Sequence, residues 1–465
     1  MQYVVKSNSP KNFRASKPLP AEFIASSSSN AGPGPSEIED PKEVGKGGTQ
    51  RYEIPKNIEE MIKNDIVPPV LKMPLSPDTY ADYFAALLYA EDFYCEKWSD
   101  YLLEDVVLKL REKKSPGLQD QSDKKKSKKG SNSKTQKNYP FVAFEINKVN
   151  QRRPFLLSRD HVHLRPVGKG IDFEPFHGVL FRVERGTILA EFKDDFYNQH
   201  KPSKRYDVSF SFNRVCLKRA HRAVSAAASP LLSKILFPNI TSLPTQGGKV
   251  SPMDQILNHK LAPIPYLIVY KGLPPSFTVT SLIKNIVLKI YESCKESRIL
   301  ICAPKNSICD DFVRLIMEKV CESDIFRANA AFREKEEVPD DIMPACIFRR
   351  ECFTCPPLDE LQHFRIITST FVSTFRLYNA GLKAGHFSHI FLLDASSAIE
   401  PETIVALVDL VSEETVVVVT GSVQDRPKWV RSDIGRNHGL KESFFERLRM
   451  SEPYWSDNPL LITDI

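Results

Sequence analysis

His389-Ile390-Phe391-Leu392-Leu393-Asp394-Ala395-Ser396-Ser397-Ala398 is the stretch whose residue types bear most directly on chemistry. A short apolar run bounded by polar residues reads as a buried central strand, and this one ends in a single aspartate. At such a strand end an aspartate can hold Mg²⁺ against a nucleotide phosphate, and the acidic residue that commonly follows orients the attacking water. Here the next residue is Ala395, so a metal ligand stands without its partner carboxylate. Cys352-Phe353-Thr354-Cys355, near Cys346 and His363, has the spacing of half a zinc site but no second matched pair. The acidic residues around 336–341 and at 400–402 read as loop or helix-N-terminal charges rather than acid–base dyads. His386 and His389 read as packing or capping residues. Gly45-Lys46-Gly47-Gly48 resembles a phosphate loop only superficially, because no strand precedes it and no helix follows.

The elements that position these residues come from patterning. A chain of 465 residues, 42% hydrophobic and 26% charged, can bury sizeable cores in roughly two to four domains. No apolar run approaches the roughly 20 residues of a membrane span, so no membrane partner is expected. The start MQYVVKSNSPKNF lacks the basic-then-apolar plan of a secretory signal. Nine scattered cysteines fit reduced thiols in a cytosolic or nuclear protein, and a cytoplasmic location is expected. The net charge of +6 permits a nucleic-acid partner without demanding one.

Residues 1–51, rich in Ser, Pro, Asn and Gly, are expected to be a disordered tail. Residues 52–110 read as a helical region. Tyr80, Phe84, Leu87, Leu88 and Phe93 make one apolar face after a cluster of prolines, with Asp78 as N-cap. Residues 111–138 form a lysine-rich, low-complexity loop that could add salt-sensitive affinity for phosphates. Period-two alternation over 139–218 predicts a small antiparallel β-barrel, and a second helix over 219–235 returns beside the first. Over 236–465 apolar strands (266–270, 298–303, 365–369, 389–394, 415–420) alternate with helices (279–293, 307–321, 371–382, 401–411). That alternation predicts an α/β domain with a mostly parallel sheet covered on both faces. Ligands bind such sheets at the carboxyl ends of the strands, which places Gly272, Pro304, Asp394 and Gly421 on one rim.

The runs DYFAALLYAEDFYCEKWSD, RRPFLLSRD, KRYDVSFSFNRVCLKRAH, RILICAPKNS, DIFRANAAFRE and GLKESFFERLR resemble a known family. The chain is similar to plant silencing-defective RNA helicases, of the Moloney-leukaemia-virus-ten branch of the up-frameshift-like superfamily-one helicases. The resemblance spans about Tyr52 to Tyr454. It implies a P-loop NTPase-like RecA domain beside a β-barrel carried on a helical stalk, ATP and Mg²⁺ as cofactors, and RNA and silencing-machinery proteins as partners.

Set against that family, the chain departs where the chemistry lies. Gly272-Leu273-Pro274-Pro275-Ser276-Phe277-Thr278-Val279 stands where a glycine-rich loop ending in Gly-Lys-Thr is expected. Gly272 and Pro274 remain, the lysine position is about Thr278, and Pro275 removes an amide donor. No Gly-Lys pair elsewhere is followed by Ser or Thr. Asp394-Ala395-Ser396-Ser397 replaces Asp-Glu-Ala-Gly, leaving Asp394 as the residual metal ligand. Gly421-Ser422-Val423-Gln424-Asp425-Arg426 departs from Gly-Asp-Pro-x-Gln-Leu. The second RecA-like domain of the family is also expected to be missing. The nucleic-acid side is better kept. Ala303-Pro304-Lys305-Asn306-Ser307 matches Ala-Pro-Ser-Asn-Ser apart from Lys305, and Ser369-Thr370-Phe371 resembles a second RNA-facing turn. The resemblance thus implies a degenerate, non-catalytic RNA- or partner-binding member, with an ATP-dependent RNA helicase as the alternative.

Overall fold

The computed structural model describes residues 53–465 apart from 99–100, 113–138, 147–153, 155, 157–159, 171–172, 185, 240–251, 258–261, 273–276, 332, 350–351, 428–429 and 456–459. The expected tail and nearly all of the lysine-rich loop lie outside the described residues, as do Pro274 and Pro275.

Helix α1 (Lys56–Lys63) is followed by the longer α2 (Tyr80–Lys97). The interior of α2 has no glycine or proline, and the chain enters it through a turn in which Thr79 Oγ1 accepts from Ser76 N (2.9 Å) and donates to Pro74 O (2.9 Å). Thr79, not Asp78, therefore organises the helix entry. Tyr80, Phe84, Leu87 and Leu88 are buried as the apolar stripe requires, facing Ala220, Ala223 and Val224 of α4 (Val215–Ala226). Phe93 is only half-buried, while Glu91 and Asp92 beside it are buried. These two carboxylates become important below.

The helical reading of 52–110 fails at its end. Leu102–Val107 is strand β1 and Lys109–Arg111 is β2. A bulge between Leu103 and Val106, with Asp105 at φ +59°, spaces the inward residues three apart and so mimics a helical period. β1 pairs with β7 (Arg205–Ser211), while β3 (Phe141–Glu145), β4 (His161–Pro166), β5 (Phe176–Glu184) and β6 (Thr187–Phe192) complete an antiparallel sheet ordered β1-β7-β4-β5-β6-β3-β2. Its inner face carries Leu103, Val142, Phe144, Leu164, Leu180, Val208 and Phe210. Gly178 is required there, since a Cβ would stand 2.5 Å from the Phe192 ring. Helix α3 (Asp194–Gln199) interrupts the strands and plugs Phe196 into this core. Helices α4 and α5 (Pro230–Leu236) then lead away from the barrel.

After α6 (Pro252–Leu257) the second sheet begins. Its strands are β8 (Tyr266–Tyr270), β9 (Ile299–Ala303), β10 (Ile325–Ala328), β13 (Ile366–Thr370), β14 (His389–Leu392), β15 (Val416–Ser422) and β16 (Ile462–Asp464). A separate hairpin, β11 (Phe348–Arg349) and β12 (Cys352–Phe353), lies between β10 and β13 in the chain. Every pairing in the seven-stranded sheet is parallel, in the order β10-β13-β9-β14-β15-β8-β16. Alternate residues feed two cores: Leu267, Leu300, Ile390 and Val417 share one with residues of α2 and α4, while Ile268, Ile301, Phe391 and Val418 share the other with residues of α7 (Phe277–Ser293) and α8 (Asn306–Met317). β10 and β16 are strands that the sequence reading did not name, and the expected helices over 371–382 and 401–411 are short helical and 3₁₀ turns. Among the described residues no helix is long and apolar enough to cross a membrane.

Candidate functional site

The carboxyl ends of β8, β9, β13, β14 and β15 share one rim, and Asp394 sits near its centre. Asp394 adopts a left-handed conformation (φ +51°), which turns the chain sharply just past β14. Its N–H donates to Thr420 Oγ1 at 3.0 Å. Its carboxylate is 1% exposed and both oxygens are engaged: Tyr270 OH donates to Oδ1 (2.8 Å) and Ser397 Oγ donates to Oδ2 (2.8 Å). Burial raises the Asp394 pKa, the two hydroxyls and the charge of Lys305 oppose that rise, and Asp425 adds to it. The Tyr270 phenol is raised in turn by burial and by the Asp394 charge. Ala395 is fully buried against the sheet core and offers no carboxylate.

Side chains stitch the neighbouring turns together. Ser396 Oγ accepts from Ser422 N (3.0 Å), and Ser422 Oγ donates to Gly272 O (2.7 Å). Gly272 has φ +102° and open space where a Cβ would lie, so its conformation explains the glycine. Gly421 has a different reason: a Cβ there would stand 2.5 Å from Phe445 Cγ, so the residue makes room for a buried ring. Thr278, in the first turn of α7, is exposed.

The residues expected to face RNA divide into two groups. Lys305, immediately before α8, and Ser307 in its first turn are exposed, and Pro304 is half-buried. Asn306 turns inward, its Oδ1 accepting from the Arg327 guanidinium at 3.0 Å. Ser369 is fully buried, with Oγ donating to Ala328 O (3.2 Å), and Thr370 Oγ1 donates to Ser373 Oγ (2.8 Å). The side chains of Asn306 and Ser369 thus serve the fold beneath the rim.

Buried ion clusters built on Asp310, Glu400 and Arg431 support this rim. Asp310 receives Arg327 Nε (2.9 Å) and Arg333 Nη1 (3.0 Å) under α8. Glu400 receives Arg447 through two bonds (2.8 and 2.6 Å) and the Tyr80 hydroxyl (2.8 Å), so it is a buried ion-pair member rather than a solvated helix-end charge. Arg431 joins the barrel, α2 and the parallel sheet. Its guanidinium donates to both oxygens of Asp160 (3.1 and 2.9 Å) and to Cys95 Sγ (2.9 Å), while its backbone N–H donates to Glu91 (2.9 Å). The signal available in sequence was carboxylates set within apolar runs: Glu91, and Asp92 beside it, which lies 3.4 Å from His221 Nε2 and 3.7 Å from Arg214 Nε. Cys346, Cys352, Cys355 and His363 do not assemble a metal centre, since among the described residues no three His, Cys, Asp or Glu side chains converge suitably.

With that geometry in place, comparison with known proteins gives a consistent direction. Residues 126–210 match the family described as "Helicase MOV-10, beta-barrel domain". The chain is 25% identical over 432 residues to a Gallus gallus protein named for the helicase MOV-10, covering 85% of this chain and 42% of the relative. It is 31% identical over 225 residues to the Homo sapiens RNA helicase Mov10l1, covering 46% of this chain and 18% of the relative. A Drosophila melanogaster protein, "Probable RNA helicase armi", is 23% identical over 384 residues, covering 70% of this chain and 32% of that protein. The similarity is to the MOV-10 helicase branch. The chain spans about two fifths of the length of the leading curated relatives it matches.

Proposed function

We propose that this chain is a degenerate member of the MOV-10 helicase branch, of the plant silencing-defective type, which binds RNA without turning over nucleotide. On this reading the parallel sheet is a RecA-like domain and the barrel is its accessory on the α2–α4 stalk. The single observation that carries the proposal is the state of Asp394: a buried carboxyl with both oxygens taken by the Tyr270 and Ser397 hydroxyls. A Mg²⁺–phosphate ligand needs free, ionised oxygens facing the ligand, and here burial disfavours the charge. Ala395 supplies no group to orient water, and Thr278 supplies no cation for phosphate. These residues do not fit a nucleotide–magnesium site, so no catalytic step is assigned to them.

What the rim does offer is a cation and a hydroxyl at the start of α8. Lys305 and Ser307 are exposed there, beside the amides of a helix N-terminus. That combination suits the sugar–phosphate backbone and reads no base, so binding should be sequence-tolerant and weakened by salt. The test is a single-stranded RNA binding isotherm for the chain and for Lys305→Glu, with and without ATP and Mg²⁺. Lys305→Glu should weaken binding several-fold, and nucleotide should leave both curves in place. A nucleotide-dependent affinity would sink the proposal. The names of the human and Drosophila relatives, both RNA helicases, favour a second reading, in which this chain is itself an ATP-dependent RNA helicase. RNA-stimulated ATP hydrolysis by this chain would select it.

A further inference from the structure

We propose that His163 and His177, on the outer face of the barrel, form a two-imidazole site for a divalent transition ion of the zinc class. The antiparallel register of β4 and β5 sets the two residues directly opposite each other. Their Nδ1 atoms face one another at 2.8 Å, with the rings nearly perpendicular at 83°. The other nitrogen of His163, Nε2, lies 2.8 Å from Ser211 Oγ on β7. If Ser211 accepts the Nε2 proton, the His163 Nδ1 lone pair is left pointing at His177, the orienting arrangement usual behind a metal-bound histidine.

As the site stands, one proton joins the two Nδ1 atoms. An ion would take its place: the Nδ1 proton of His177 leaves to solvent and Nε2 of the same ring takes one up, so both imidazoles stay neutral. Zinc–nitrogen bonds of ~2.0–2.1 Å at a tetrahedral angle need the nitrogens about 3.3 Å apart. The pair must therefore open by about half an ångström, which rotation of the exposed His177 ring can supply. Among the described residues no third protein ligand converges on the pair, so water completes the coordination and the site is open and exchangeable rather than closed and structural.

The test is a zinc titration of the whole chain labelled with ¹⁵N-histidine, following the ring nitrogens by NMR. His163→Asn and His177→Asn assign the signals, and the exposure of His177 lets that variant keep the fold. The expected result is a saturable movement of the His163 and His177 Nδ1 signals, lost for the remaining partner in either variant. Ser211→Ala should weaken the ion about tenfold. Zinc taken up with both signals unmoved would assign it to the cysteines and overturn the proposal. So would the absence of saturable binding, or movement of His163 that persists in His177→Asn.

Discussion

Replacing Tyr270 by phenylalanine removes one hydroxyl and leaves the ring that fills the end of β8. The structure says what that hydroxyl does: it donates to Asp394 Oδ1 at 2.8 Å in a buried setting. A hydrogen bond to a charged acceptor contributes roughly 1.5–3 kcal/mol, and to a neutral one roughly 0.5–1.5 kcal/mol. The loss should therefore depend on the protonation of Asp394. Burial raises its folded pKa above the unfolded value, so the folded chain holds this proton to higher pH. Stability from this group is full below the unfolded pKa and is lost as pH rises through the folded one. At low pH the bond is to a neutral carboxyl; at high pH it is to a carboxylate with one remaining hydroxyl, from Ser397. The expected cost of Tyr270→Phe is thus about 2 kcal/mol at pH 8, on the alkaline side, and about 1 kcal/mol near pH 3.5, below the ordinary aspartate value, where the carboxyl is neutral. Urea unfolding of parent and variant at both pH values measures it, with the difference taken at each pH so that other titrating groups cancel. A cost that is equal at the two pH values, or larger at the lower one, would refute the picture of a hydroxyl-capped carboxylate.

Arg431→Met should cost roughly 3–5 kcal/mol, because it strands the buried Asp160 carboxylate; adding Asp160→Asn should recover part of that loss in a double-mutant cycle read by chemical denaturation. Gly421→Ala should destabilise by at least about 1–3 kcal/mol through collision with the Phe445 ring, and Phe445→Leu in the same chain should lessen the cost of the added methyl. Burial, with the charge of Glu91 adding, pushes the Glu402 carboxyl up to about 7. The folded chain then holds a proton that the unfolded chain releases between the ordinary glutamate value and about pH 7, so stability falls as pH rises across that window. Glu402→Gln should remove this dependence and raise unfolding free energy at pH 8 by about 1–2 kcal/mol, allowing for the partial solvent contact of the side chain, with little change at pH 4.

The sequence made the central strands legible because each carries an apolar run: Tyr266–Tyr270 and Ile299–Ala303 throughout and Val416–Ser422 over its first four residues, all buried on both faces, so no amphipathic period was needed to find them. β10 was harder, since Arg327 sits inside it and reads as polar; the side chain is buried only because Asp310 and Asn306 receive it. The end of the stalk was misread because the bulge at Asp105 gives strand β1 a helix-like spacing. At the rim, sequence located Asp394 and the loss of a carboxylate at Ala395. It could not show that Tyr270, the last residue of β8, turns its hydroxyl onto that aspartate, since the two are 124 positions apart and meet only through the sheet order. Nor could it tell that Ser369 and Asn306 point inward. A short polar residue in a strand-to-helix turn looks the same whether it faces solvent or a buried guanidinium.

The most direct measurement is equilibrium binding of labelled ATP with Mg²⁺ to the unmodified chain, beside a version carrying Thr278→Lys and Ala395→Glu. The hydroxyl-capped Asp394 and the missing cation predict no saturable binding by the unmodified chain, whatever the restored version does. Saturable, magnesium-dependent binding by the unmodified chain would contradict this, because Asp394 would then have exchanged Tyr270 and Ser397 for the metal and the rim would be a working nucleotide site.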